Sequence, residues 1–117
     1  MKIDPFKISY PKQRIVEIKE KVEMFPWHEM PKEGGWSFGT NIDYMKNLAD
    51  YWTKKYDWES QEYRLNQQPN YKTKVDDIDI HFIFKKSSSP KAIPLILIHG
   101  WPGSIVEFLE IIEPLCE

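Results

Sequence analysis

Leu95-Ile96-Leu97-Ile98 runs directly into His99-Gly100-Trp101-Pro102-Gly103-Ser104. An apolar run without alternation is the pattern of a strand covered on both faces, as in a parallel α/β sheet. Gly100 and Gly103 then permit backbone geometries and close approaches that a β-carbon would forbid. Pro102 holds its own φ and restricts Trp101 before it. Ser104 followed by Glu107 is the capping-box pattern of a helix start. Ile105, Phe108, Leu109 and Ile112 continue at helical spacing as one apolar face, with Pro114 as the expected stop. The sequence therefore predicts a buried strand, a rigid turn and a helix. Ligands of open α/β sheets bind at the carboxyl ends of strands. Backbone N–H groups held there can stabilise a developing oxyanion, at about 3–4 kcal/mol per donor.

The remaining residues supply a globular chain. Its 117 residues are 41% hydrophobic and include five Trp, six Tyr and six Phe, enough for a packed domain. Sixteen basic and eighteen acidic residues are interspersed, for a net charge of −2, which gives no electrostatic grip on nucleic acid or an anionic membrane. Cys116 has no second cysteine to pair with, which fits a reducing compartment, and we expect a cytoplasmic protein. Met1-Lys2-Ile3-Asp4-Pro5 lacks the apolar stretch of a signal peptide or membrane anchor, so no membrane partner is expected.

Along the chain, Ile15, Ile18 and Val22 predict an amphipathic helix from Pro11 to about Met24, with Glu17-Lys21 and Lys19-Glu23 as surface charge pairs. Phe25 to Gly39 is rich in Gly, Pro and aromatics and reads as a loop pinned by Phe25, Trp27, Trp36 and Phe38. A second helix is expected from about Ile42 to Tyr56, capped by Thr40 or Asn41, with Met45, Leu48, Ala49 and Trp52 on its inner face. A short third helix is placed near Trp58–Gln67. After Pro69 the period changes to two. Ile78, Ile80, Phe82 and Phe84 form one face of a half-buried strand, and Tyr71 to Val75 is its hairpin partner across Asp76-Asp77.

Other chemical patterns do not survive inspection. Gly35-Trp36-Ser37-Phe38-Gly39 matches the nucleophile-elbow pattern, but an elbow follows a buried strand, and Met30-Pro31-Lys32-Glu33-Gly34 has no β-character. His28, His81, His99 and Cys116 have no metal-ligand spacing, so no metal or other cofactor is expected. The aromatics read as packing rather than as a stacking platform for bases, because acids offset the basic residues. His99 is read as positioning the turn rather than as a general base.

His99-Gly100-Trp101-Pro102-Gly103-Ser104 resembles the H-G-x-P oxyanion turn of α/β-hydrolases, in the form found in microsomal-type epoxide hydrolases, which include the juvenile hormone epoxide hydrolases. Pro5-Phe6-Lys7-Ile8, Gly35-Trp36-Ser37-Phe38-Gly39-Thr40, Tyr51-Trp52, Tyr56-Asp57-Trp58 and Leu65-Asn66 with Pro69 are similar to the N-terminal region of the same family. The resemblance implies an α/β fold: a helical meander over residues 1–70, then residues 71–117 as the start of an α/β-hydrolase core. That start comprises a hairpin, a buried strand and the first helix of an incomplete sheet. It also implies covalent catalysis. An aspartate opens the epoxide to an alkyl-enzyme ester, two tyrosines protonate the ring oxygen, and a histidine with an acidic partner activates the water that hydrolyses the ester. Of this set only the turn is present: the Trp101 backbone N–H as oxyanion donor, supported by His99, Gly100, Pro102 and Gly103. No nucleophile is assigned, and Asp43, Asp57 and Asp76 are not promoted to the role. A strand as apolar as Leu95–Ile98 needs neighbours on both edges. The chain is therefore expected to be the N-terminal portion of a longer enzyme, inactive alone, with an epoxide and water as substrates and the rest of the core and lid as partner. Ester or haloalkane hydrolysis on the same turn, or a non-catalytic binding module, are the competing readings.

Overall fold

The computed structural model describes residues 2–29, 31, 33 and 35–117. Helix α1 (Lys12–Glu23) follows Pro11, and Ile15, Ile18 and Val22 are its half-buried face, as the spacing predicts. Glu17 pairs with Arg14 at 3.3 Å rather than with Lys21. Helix α2 (Ile42–Lys54) is capped by Asn41, whose Oδ1 accepts the Tyr44 N–H at 2.9 Å. Truncation to Asn41→Ala is expected to cost about 1 kcal/mol, read as a lower urea midpoint. Helix α3 (Trp58–Asn66) starts at Asp57, whose Oδ1 accepts the N–H groups of Glu59 and Ser60.

The chain divides into two compact units, Ser9–Ser60 and the residues up to Ile8 with Gln61–Glu117. In the first, α1 packs on α2, and Tyr10 meets Trp58 edge to face at 5.3 Å. Phe25 meets Trp27 at 4.9 Å and Trp36 meets Tyr44 at 5.3 Å. Trp36 and Phe38 are otherwise exposed, so the loop is pinned less fully than its aromatics predict. Met30, Lys32 and Gly34, part of the stretch argued above to lack β-character, lie outside the described residues.

The second unit is built on an antiparallel sheet in the order β1 (Ile3–Pro5), β2 (Asn70–Val75), β3 (Ile78–Ile83). Val75 faces Ile78, so Asp76 and Asp77 form a two-residue hairpin turn, with φ of 47° and 63°. Both central residues at positive φ match the right-handed twist of the strands, and Asp tolerates that region better than most residues. Strand β1 was not anticipated. It pairs Ile3 with Thr73 and Pro5 with Tyr71, and sits at the sheet edge, where a proline is tolerated.

Two asparagines hold this unit together. The Asn66 side chain accepts the Ile8 N–H and donates to the Ile8 carbonyl, both at 2.8 Å. Asn70, only 6% exposed, donates to the carbonyls of Leu65 and Gln68 and accepts from His81 Nε2 at 2.9 Å. His81 also meets the Phe6 ring edge-on at 5.2 Å, and Lys72 lies 4.0 Å from the same ring. Burial, then the Lys72 charge, holds the His81 pKa below its ordinary 6.5. The folded state thus disfavours the imidazolium, so the unfolded chain binds the extra proton first as pH falls. Stability should be full above about pH 6.5 and decline as pH drops from there towards the lowered folded value. Urea midpoints across pH 5–8 should show this slope, and His81→Gln should flatten it.

Two expectations about the sheet need correction. Leu95–Ile98 is not a strand: it pairs with no strand among the described residues, and Ile96 and Ile98 are 81% and 84% exposed. A strand's hydrogen bonds lie on neighbouring chains, and no neighbour is here to receive them. The face of β3 expected to be covered is also largely open. Ile78 is 64% exposed and Ile80 is exposed, as is Phe84 just beyond the strand, while Phe82 stacks on Tyr71 at 5.8 Å. Only Ile8 and Ile112 are buried apolar residues among those described. The observed fold is therefore a three-stranded antiparallel sheet with helices, a partial form of the expected α/β architecture.

Candidate functional site

The turn at 99–104 leads out of the exposed apolar run and into a single 3-10 turn, Ile105–Phe108, which passes directly into helix α4 (Leu109–Cys116). Ile105, Phe108 and Leu109 are half-buried and Ile112 is buried, so the predicted inner face is present. Pro114 does not end the helix. It lies inside α4, two residues before the end, where it removes one backbone N–H.

The capping box forms as predicted. Ser104 Oγ accepts the Val106 N–H at 3.3 Å, and the Ser104 N–H donates to Glu107 Oε1 at 3.1 Å. Ser104 is extended, with φ −160°, and its carbonyl accepts the Glu107 N–H at 3.2 Å. Trp101-Pro102 is a cis peptide. His99 Nδ1 lies 2.9 Å from the Gly100 carbonyl oxygen, which can only accept, so Nδ1 is the donor of this contact.

The two glycines are not equivalent. A β-carbon at Gly100 meets nothing within 4 Å, whereas one at Gly103 would overlap the Glu107 carboxylate and stand 2.7 Å from the Gly100 carbonyl oxygen. Gly103 is thus the position where the loop closes on itself. The Trp101 N–H makes no backbone hydrogen bond among the described residues, and its side chain is 97% exposed. It is an available donor on a braced turn. The indole is almost fully exposed among the described residues.

The acids set aside as nucleophiles have structural positions. Asp57 caps α3, and the Ser60 hydroxyl donating to it, followed by the Ser60 N–H, holds its carboxyl below the usual carboxylate range. Asp43 lies in the first turn of α2, and Asp76 is in the hairpin turn. Gly35–Phe38 form a turn, and no strand directly precedes it among the described residues. No group of three or more metal-binding side chains occurs among the described residues. No helix among the described residues is long and apolar enough to cross a membrane. A separate apolar hollow of about 500 Å³ in the helical unit is lined by Tyr10, Ile15, Ile18, Leu48, Tyr51 and Trp52 among others, with Lys19 the only charged side chain among the described lining residues. It offers packing surface but no reacting group.

What sequence reasoning missed is the asparagine clamp. Leu65-Asn66 and Pro69 were visible as a resemblance, yet nothing local shows that the Asn66 amide closes on a backbone 58 residues away.

These features are those of a partial α/β fold. The chain belongs to the family described as "Epoxide hydrolase N terminus", whose sequence profile matches residues 3–108. It is 38% identical over 115 residues to a putative epoxide hydrolase of Stigmatella aurantiaca, covering 98% of this chain and 26% of that protein. It is 38% identical over 117 residues to juvenile hormone epoxide hydrolase 1 of Ctenocephalides felis, covering 97% of this chain and 25% of that one. Among solved structures, the epoxide hydrolase of Aspergillus niger superposes with a TM-score of 0.88 at 30% identity, over 97% of this chain and 30% of that chain. The juvenile hormone epoxide hydrolase of Bombyx mori gives 0.82 at 33% identity, over 96% and 30%. The chain therefore spans about a quarter of the length of the curated relatives it matches.

Proposed function

We propose that this chain is the N-terminal portion of an epoxide hydrolase, that it contributes the oxyanion turn, and that it is inactive alone. The observation that carries the reading is the Trp101 N–H, without a hydrogen-bond partner among the described residues, on a turn braced by Ser104 and Glu107. Residues 1–70 form the helical meander and 71–117 begin the hydrolase core, whose remaining strands cover the exposed Leu95–Ile98 run and the open face of β3. Burying such surface is worth roughly 25 cal/mol per Å², which gives the rest of the core a strong reason to close over it.

In the complete enzyme an aspartate outside this chain attacks an epoxide carbon, the C–O bond breaks, and an alkyl-enzyme ester forms. Water then adds to the ester carbonyl, whose oxygen takes up the electron pair. The Trp101 N–H donates to that oxyanion, and His99, Gly100, Pro102 and Gly103 hold the donor in place. The substrates are an epoxide and water, the partner is the remaining core and lid, and the setting is cytoplasmic. The 117-residue chain by itself should hydrolyse styrene oxide no faster than buffer. Diol formation above that background, measured by chromatography, would overturn its inactivity alone.

A further inference from the structure

Resting on the reading of 99–104 as an oxyanion turn, we propose that Glu107 is the positioning residue of that turn. It acts through the backbone of Gly103 and Ser104 and never touches the substrate. Three observations converge on it. Its carboxylate accepts the Ser104 N–H at 3.1 Å, its own N–H donates to the Ser104 carbonyl at 3.2 Å, and its Oε1 lies where a side chain on Gly103 would begin. The side chain therefore fills the place that Gly103 leaves open and pins the loop from the helix side, three residues downstream of the bend. The other bonds in this stretch among the described residues are local ones, Val106 N–H to Ser104 Oγ at 3.3 Å and His99 Nδ1 to the Gly100 carbonyl oxygen at 2.9 Å. The Trp101, Pro102 and Gly103 side of the turn is exposed, and no backbone–backbone hydrogen bond links it to another element. Where the Trp101 N–H points is set by a loop whose anchor on the helix side is the Glu107 side chain.

The consequence falls on one chemical step. Ring opening places new charge on the epoxide oxygen, away from the ester carbonyl, so it does not call on the Trp101 N–H. Ester hydrolysis does. Water's oxygen bonds to the carbonyl carbon, the carbonyl oxygen holds the electron pair, and collapse expels the diol oxygen and restores the carboxylate. One water proton passes through the base to the departing diol oxygen, and the other replaces the proton consumed in ring opening. A donor misplaced by a fraction of an ångström slows this step alone.

The test uses the full gene product that carries this chain, with styrene oxide in single-turnover experiments and mass spectrometry of the covalent ester. Glu107→Ala should leave alkylation within about twofold of wild type, slow ester hydrolysis by about ten- to a hundredfold, and let the ester accumulate. Glu107→Gln keeps an acceptor oxygen for the Ser104 N–H and should restore hydrolysis to within a few-fold. An unchanged hydrolysis rate in Glu107→Ala, with wild type active, overturns the role of Glu107 and leaves the oxyanion reading standing. Equal loss of both steps, or no rescue by glutamine, overturns it as well, since a general fold defect or the charge itself would then be the cause. A wild-type product that never forms the ester removes the reading on which the inference rests.

Discussion

Replacing Asn66 with alanine should lower the stability of the sheet unit by about 2–4 kcal/mol and release the strand at the N-terminus. Ile8 is only 8% exposed, and both its N–H and its carbonyl are satisfied by the Asn66 amide at 2.8 Å. Truncation removes both partners at once and leaves a donor and an acceptor buried without compensation, which costs more than the net value of two ordinary hydrogen bonds. Asn66 Nδ2 also reaches the Glu62 carbonyl, so the clamp ties the end of α3 to the segment that follows β1. Asn66→Asp provides a graded comparison: the carboxylate can accept the Ile8 N–H but faces the Ile8 carbonyl with a second acceptor. The order of urea midpoints in the full gene product should be wild type, then Asp and Ala well below it. Hydrogen exchange at the Ile8 amide should accelerate in both variants. An Ile8 amide that stays protected in Asn66→Ala would show that the clamp adds nothing to the sheet.

Gly103→Ala should cost more activity than stability. The added β-carbon cannot be relieved by a side-chain shift alone, because one of the atoms it meets is the Gly100 carbonyl oxygen, at 2.7 Å. Either the bend opens or the Glu107 carboxylate is driven off the Ser104 N–H. Both outcomes move the Trp101 N–H. In the full gene product, kcat for an epoxide should fall by about a hundredfold, while the urea midpoint shifts by the roughly 1–3 kcal/mol typical of overpacking. Near-normal turnover in Gly103→Ala would mean that the turn tolerates opening and that its geometry is set elsewhere.

The elements legible in advance are those whose cause is local. The α1 face of Ile15, Ile18 and Val22, the Asn41 cap, the Asp76-Asp77 hairpin and the Ser104–Glu107 capping box each depend on residues within a few positions of one another. Helix α4 shows the limit even there, because Pro114 reads as a stop but lies inside the last turn. Strand β1 left no trace: three residues with a proline carry no alternation, and the strand exists because β2 offers it an edge. The candidate site divides in the same way. The order of residues from His99 to Ser104 announces a rigid turn, but the closeness of a Gly103 β-carbon to the Gly100 oxygen is known only from coordinates.

By itself, the sequence determined the helices, the hairpin and the capped turn, because capping, turn dihedrals and helical periodicity are satisfied within a short stretch of chain. It also pointed to the family, through six short segments in order, and the profile match over residues 3–108 agrees. Tertiary structure alone decided whether each apolar face is covered and which polar groups meet across long separations. Leu95–Ile98 has every sequence mark of a buried strand and stands exposed, since a strand is completed by hydrogen bonds to neighbours that its own residues cannot supply. Nothing local marks Asn66 as a clamp, and it closes on Ile8 because the fold brings the end of α3 to the segment that follows β1.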